Sequence, residues 1–435
     1  MGSKNNSLIQ EKLKKGFMGV GAIQVISIPI SLMVSIILAR SLGPELYGQY
    51  AFAVAFLPLL ALPVSGGLTQ LLTRQVATYV HNNNRALYKG IIVSSYTWVI
   101  ATSLVIIIGY FLASEVFYFL PRSNEGEWRI MIPIMLMIPV MGLNSVRTGL
   151  LKGMGYPILS ELPIRLLQPA IVLITYYFLA NIGQLTGVIA VWIQLWSGVT
   201  LWLIGSILIF YINLYPKQGY KCSYELKMWM QSLLPFSMMA LVYTCNTQVG
   251  VLILGVLGSD ESVAAMQVGQ RGAQFVSLSL GVVNMVVSPY IVSAYQAADM
   301  KRLQALSKKT ARLALLFSIP VALILLVFGD SILGHLFGME YVEIAYVPLV
   351  ILVVAQLVNV FFGSVGQLLA MTGHEKNSLR CQVVSIGFNV VLCVVLIPEY
   401  GAIGAAIASA VALVLWNIML AKVVVNKLSI RPTAV

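Results

Sequence analysis

The sequence predicts an all-α polytopic membrane protein in which twelve transmembrane helices form two parallel, pseudo-symmetric six-helix bundles around a central cavity. Composition, the spacing of apolar runs and an internal repeat carry this expectation. Of the 435 residues, 59% are hydrophobic and only 10% charged, and the mean hydropathy is +0.89. A soluble domain carries about 25% charged residues. The composition therefore excludes a water-soluble or disordered chain and leaves no room for a sizeable soluble domain. The net charge of +12 then concerns loop orientation rather than nucleic acid, and no nucleic-acid partner is expected.

A bilayer core about 30 Å thick takes roughly 20 apolar residues per helix. The first run, 17–38, follows Lys4, Lys12, Lys14 and Lys15. It is too long for a cleaved signal, whose apolar region is about 7–15 residues, and so reads as span 1. Span 2 is 50–72, with Pro58 and Pro63 inside it. Span 3, 90–112, starts after Lys89, and span 4, 130–151, stops at Lys152. Span 5, 158–179, follows Pro157, and span 6, 187–211, is an unbroken apolar run. A polar stretch bearing Lys217, Lys221 and Lys227 intervenes. Spans 7 to 12 are 234–257, 263–287, 311–328, 345–369, 381–397 and 402–421. The halves are thus 1–212 and 234–435, joined by a cytoplasmic linker at 213–233.

With the amino terminus inside, all but four of the 27 Lys and Arg residues fall on the cytoplasmic side. Arg40, Arg122 and Arg129 lie outside and Arg271 lies within a span. This is the asymmetry of the positive-inside rule, and both termini are expected to be cytoplasmic. Leu42-Gly43-Pro44-Glu45 after span 1 recurs as Leu257-Gly258-Ser259-Asp260 after span 7. Leu150-Leu151 with Gly155 recurs as Leu368-Leu369 with Gly373. Both pairs lie half a chain apart, and six spans per copy make the repeats parallel, as in transporters that use alternating access.

The sequence holds no GxxxxGK[ST], HExxH, GxSxG or nucleotide-binding glycine pattern, so nothing in it points to ATP hydrolysis. The longest outer loop, 113–129, is too short for a catalytic domain, so an enzyme is not expected. Cys222 and Cys381 read as cytoplasmic, and Cys245 and Cys393 lie in apolar runs. Neither a structural disulfide nor a metal or cofactor site follows from them.

Arg271 is the most informative single residue. It sits about 12 Å into span 8, where a cation costs at least about 2.5 kcal/mol unless it meets water, a partner or a ligand. Gln267, Arg271, Gln274, Ser277, Gly281, Asn284 and Ser288 recur at threes and fours, and so form one stripe of the helix. Span 1 carries Gln24, Ser27, Ser31 and Ser35, and span 7 carries Asn246 and Gly250. Spans 1, 7 and 8 are expected to wall one hydrated cavity, although such stripes also glue helices together. For spans 1 and 7 both readings stand. Arg165, in span 5, is either a ligand-facing cation or the i,i+4 partner of Glu161. Lys14 and Lys15 are either ligands or orientation signals, and Arg74, Arg147 and Lys152, near span ends, read as snorkelling cations. Apart from Glu161 no acidic residue falls within the spans. The cavity is left cationic, which suits an anionic substrate such as a phosphate held by Arg. Ser65-Gly66-Gly67 after Pro63 is either a hinge or a site of close packing.

Arg40-Ser41-Leu42-Gly43-Pro44-Glu45-Leu46-Tyr47-Gly48-Gln49-Tyr50 resembles the opening signature of bacterial polysaccharide flippases. These are the Wzx-type O-antigen and capsule repeat-unit transporters of the multidrug/oligosaccharidyl-lipid/polysaccharide (MOP) exporter superfamily. Gly67-Leu68 with Arg74, and the run from Ile397-Pro398-Glu399-Tyr400-Gly401 to Ala406, are similar to its later marks. The resemblance implies movement of an undecaprenyl-pyrophosphate-linked oligosaccharide, as in lipopolysaccharide assembly, between leaflets of the bacterial cytoplasmic membrane. Its charged head would meet Arg271 and, at the foot of span 1, Lys14 and Lys15. Besides membrane lipid, the resemblance admits a coupling ion (H+ or Na+) and glycan polymerase or ligase partners. Two alternatives are a multidrug exporter of the same superfamily, expected to carry an acid in span 1 that this chain lacks, and a polytopic glycan-transferring enzyme.

Overall fold

The computed structural model describes the backbone of residues 2–117, 125–211 and 222–430, and the side chains of 19–112, 130–211, 222–288 and 290–430. Among these residues there is no strand. Seven of the twelve spans are continuous helices: Arg85–Phe117, Glu125–Gly153, Gly187–Tyr211, Leu226–Leu257, Asp260–Gln296, Met300–Val327 and Met339–Phe362. Spans 1 and 2 share the helix Gly2–Leu60, interrupted at Gly43 (φ 74°, ψ 172°). Spans 11 and 12 share Glu375–Leu428, interrupted at Gly401 (φ 50°, ψ −124°). Both breaks use a backbone conformation that is strained for any residue with a Cβ. Span 5 is three consecutive pieces, Pro157–Leu162, a π-helical turn Pro163–Leu167, and Gln168–Asn181.

The helices overrun the apolar runs. Span 9 begins at Met300, where the Asp299 carboxylate accepts the Arg302 amide at 2.9 Å. Span 10 is displaced: its helix runs Met339–Phe362, and Gly363 (φ 68°) then turns the chain into the short helix Val365–Met371. Hydropathy ends a run at the first charge, whereas a helix continues until its terminal carbonyls or amides are capped. Span 8 bends by 45° between Ser288 and Tyr290.

The repeat is visible in helix termination. Tyr156 N donates to Leu151 O and His374 N to Leu369 O, both at 2.8 Å. Gly155 (φ 85°) and Gly373 (φ 79°) stand just before those amides, so each copy of the motif closes with the same left-handed turn and six-to-one bond. Two further pairs obey the same half-chain spacing, Asn83 with Ala298 and Gly183 with Gly401, all at positive φ.

The chain divides into two compact units, residues 1–41 with 53–244, and 42–52 with 245–435. In the first, Gly142, Gly149 and Gly153 of span 4 lie against Val64, Leu72 and Val76 of span 2. Gly67 (φ 75°) would drive a Cβ to 2.6 Å from Phe236 Cβ and Ser237 N, while Ser237 Oγ donates to Gly66 O at 2.7 Å. The Gly66-Gly67 break in span 2 is thus a close-packing site. The described end of the polar stretch is docked in the same unit. Ser223 N donates to Ala86 O, Trp229 Nε1 to the Tyr79 hydroxyl at 2.7 Å, and that hydroxyl to Glu225 at 3.2 Å. In the second unit, Gly269 and Gly272 of span 8 let span 10 approach at Leu349, the small-residue packing common in membrane bundles. Its core includes Ile291, Leu303, Leu368, Leu420 and Val424.

The outside is as apolar as the inside. Val105 is 71% exposed, Phe210 72%, Leu316 67% and Val395 63%. These side chains recur on one face of spans 3, 6, 9 and 11, which only lipid would cover.

The segment carrying the opening signature packs on the start of span 8 within the second unit. Gln49 Nε2 donates to Asp260 Oδ2 at 3.0 Å, and a Cβ at Gly48 would stand 1.8 Å from Asp260 O. Gly48→Ala is expected to cost about 1–3 kcal/mol, because a backbone atom rather than a flexible side chain blocks the methyl. Thermal unfolding of the purified variant measures this, and an unchanged Tm would show that the two segments part freely.

Candidate functional site

The described candidates fall into two groups, one in each unit. In the second unit, Gln267, Arg271, Gln274 and Asn284 share the helix Asp260–Gln296. Ser259 caps its N-terminus, its hydroxyl accepting the Ser262 amide at 3.2 Å. Val263 to Met266 are fully buried against neighbouring helices. The stripe then opens toward its middle: Gln267 and Arg271 are half-buried, Gln274 is exposed, and a Cβ at Gly281 would have nothing within 4 Å. Arg271 Nε is shut from the surface and has no acceptor among the described residues, whereas Asn284 Oδ1, roughly 20 Å further along the helix, is buried without a donor. A buried donor without an acceptor costs about 1–3 kcal/mol, more on a charged group. The lower stripe is closed: Ser288 is buried, donates to Asn284 O and accepts from Gln367 Nε2 at 2.8 Å. Asn246 is half-buried on Leu226–Leu257, but Gly250 packs against Ser409 Oγ at 3.2 Å and is helix packing.

In the first unit, the span 1 hydroxyls satisfy themselves within their own helix. Ser27 donates to Gln24 O, Ser31 to Ser27 O at 2.8 Å and Ser35 to Ser31 O at 3.1 Å. Such back-bonding uses the donor and leaves the oxygen free to accept. The Gln24 amide oxygen accepts from Arg165 Nη1, and Arg165 Nε pairs with Glu161. Lys152 Nζ lies 2.5 Å from the other Glu161 oxygen. Spans 1, 4 and 5 thus meet at one carboxylate with two cations. The i,i+4 pairing of Arg165 with Glu161 is present, and Lys152 is an ion-pair partner rather than a snorkelling cation. The side chains of Lys14 and Lys15 lie outside the described residues.

Arg147 overturns its reading as a snorkelling cation. It is 0% exposed, and Nη1 donates to Leu201 O at 2.8 Å. Nε and Nη2 have no partner among the described residues. Gly205 makes room for it: a Cβ there would be 2.3 Å from Nη1. Its closeness to a span end suggested an exit to water, but the signal pointing inward was Gly205 on span 6, which admits a large side chain from span 4. An apolar groove of about 570 Å³ lies between spans 10 and 12, lined by Val350, Val354, Val358, Val411, Val414 and Ile418 among others. It offers nothing to a charged head group.

Residues 13–295 match the family model described as "Polysaccharide biosynthesis protein", and 235–395 match the MatE model. The "Probable low-salt glycan biosynthesis flippase Agl15" of Haloferax volcanii is 25% identical over 181 residues, 42% of this chain and only 38% of that protein's length. The fold is similar to the inward-facing conformation of a multidrug resistance MATE family transporter of the MOP superfamily. The TM-score is 0.76 at 17% identity, over 94% of this chain and 98% of that one. It is also similar to the lipid II flippase MurJ in its inward closed conformation, with TM-score 0.70 at 16% identity over 93% and 86% of the two chains. With its family model matched across most of its length and these apolar helices in place, the chain belongs to the polysaccharide biosynthesis protein family and is a multi-pass membrane protein.

Proposed function

We propose that the protein is a flippase for a polyprenyl-diphosphate-linked oligosaccharide, moved from the inner to the outer leaflet of the bacterial cytoplasmic membrane by alternating access. The O-antigen-type repeat unit on undecaprenyl pyrophosphate is the substrate that the opening signature favours. The carrying observation is Arg271, a half-buried guanidinium on an open polar stripe whose Nε lacks an acceptor. A diphosphate offers paired oxygens that a planar guanidinium binds in two places at once. Gln267, Gln274 and Asn284 would hydrogen-bond the head group or first sugars, and Asn246 of the same unit would add a further polar group. The six-helix halves, 1–212 and 234–435, would alternate with both termini cytoplasmic, and a polymerase or ligase would consume the product outside.

Purified protein in liposomes loaded with native lipid-linked oligosaccharide, with and without imposed H+ or Na+ gradients, tests this reading. The expected result is relocation of covalently unchanged substrate. Export of cationic drugs without lipid relocation, or a covalently altered glycan, would overturn it.

A further inference from the structure

We propose that Glu161 is a built-in substitute for the substrate's anion: it occupies a cradle of Lys152, Arg165 and Gln24 that the diphosphate takes over by exchange. This inference rests on the flippase reading and adds a second anion site to it, in the first unit and, by the loop assignment, on the cytoplasmic side where span 4 ends and span 5 begins.

Three observations carry it. First, the charges do not match a purely structural pair. One carboxylate serves two cations from different spans, Lys152 on span 4 and Arg165 on span 5, and Arg165 also reaches the Gln24 amide on span 1. The cluster keeps one net positive charge. A diphosphate diester carries one charge on each phosphoryl group, so it neutralises both cations where Glu161 neutralises one. Secondly, the cations are open and the carboxylate is not. The side chains of Lys152 and Arg165 are 31% and 43% exposed, against 12% for Glu161. An incoming anion therefore meets the positive groups first. Thirdly, Arg165 stands on the π-helical turn Pro163–Leu167, closed by Gln168 N donating to Pro163 O. A π turn holds an extra residue and rotates the helix register by about 100°. It lies between the helix Pro157–Leu162, which carries Glu161, and Gln168–Asn181, so Glu161 stands on an α-helical piece and Arg165 on the π turn.

The exchange also gives selectivity. An internal carboxylate already bound by both cations competes with every anion, and a singly charged phosphodiester on an ordinary lipid gains less by replacing it than a diphosphate does. When the substrate leaves, Glu161 refills the cradle and weakens its hold on soluble phosphates.

Inorganic pyrophosphate is the probe, titrated against the full chain in nanodiscs of zwitterionic lipid. Glu161→Gln should bind pyrophosphate about tenfold tighter than wild type, since two partly exposed ion pairs no longer compete. Adding Lys152→Gln or Arg165→Gln to that variant should abolish the gain. Glu161→Asp keeps the charge while withdrawing it, and should give a smaller gain of the same sign if the glutamine variant folds poorly. Unchanged affinity in a folded Glu161 variant, or a gain that survives loss of both cations, would overturn the proposal. In competition on wild type, a polyprenyl diphosphate should displace pyrophosphate and phosphatidylglycerol should not. Displacement by neither, or equally by both, would overturn the exchange with the lipid-linked diphosphate. Transport of native substrate with no binding change at Glu161 removes only this inference. A binding switch without transport of any lipid-linked glycan removes the flippase reading and leaves the anion cradle.

Discussion

Arg271→Ala is expected to weaken binding of a polyprenyl diphosphate by about ten- to a hundredfold, the equivalent of losing a charge-assisted contact of roughly 1.5–3 kcal/mol. The side chain is half-buried, its Nε lacks an acceptor, and the neighbours along its stripe are Gln267 and Gln274, which offer no compensating charge. Arg271→Lys keeps the charge but not the planar fork, so it should recover part of the loss. Arg271→Gln should recover little, because it offers a neutral donor where an anion must be balanced. Binding of polyprenyl diphosphate and monophosphate to folded variants in nanodiscs measures the effect. Wild-type affinity for both ligands in the alanine variant would make Arg271 a packing residue and remove the main support for an anionic substrate.

The spans were legible because lipid leaves a strong mark on composition: each run must be apolar over a bilayer's thickness whatever it packs against. Their ends were less legible. Hydropathy began span 9 at 311, well after Asp299, the residue that caps its helix, and missed the turn at Gly363 that shifts span 10. Caps and left-handed glycines are decided by single backbone conformations, which average hydropathy does not register. The repeat illustrates the same division. Two motif pairs were readable as letters, yet Asn83 with Ala298 shares no letter and is matched only in its positive φ. The two positions share a backbone turn rather than a residue type.

The site was legible to the extent that it consists of charges out of place. Arg271 and the Arg165–Glu161 pair stand out in an apolar run, and local helix spacing alone brings the pair together. Lys152 and Gln24 join them only through tertiary packing, which no spacing within one helix encodes. The close approach of spans 1 and 5 at Gly19 and Ile158 accompanies the meeting of Gln24 with Arg165. Hydroxyls were the least readable. Ser27, Ser31 and Ser35 look like cavity lining in sequence, but each donates to its own helix.

Arg147→Met is expected to raise stability by about 1–3 kcal/mol, whereas Arg147→Ala should lower it. A fully buried guanidinium with Nε and Nη2 unpartnered carries a desolvation cost that one bond to Leu201 O offsets only in part. Replacing buried charged groups by apolar side chains of similar volume is often neutral or stabilising by about 1–4 kcal/mol. Methionine is unbranched and flexible enough to fill the channel that Gly205 leaves beside span 4. Alanine removes the charge as well, but it leaves a cavity between spans 4 and 6 whose cost, about 2–5 kcal/mol for a large side chain, exceeds the gain. Opposite signs for the two variants, read by thermal unfolding in a single lipid or detergent, would separate charge from volume at this position. A methionine variant less stable than wild type would mean that Nε and Nη2 have partners, bound water above all. Raised stability with lost transport would mean that the chain keeps a buried cation at the expense of stability because a step of the transport cycle uses it.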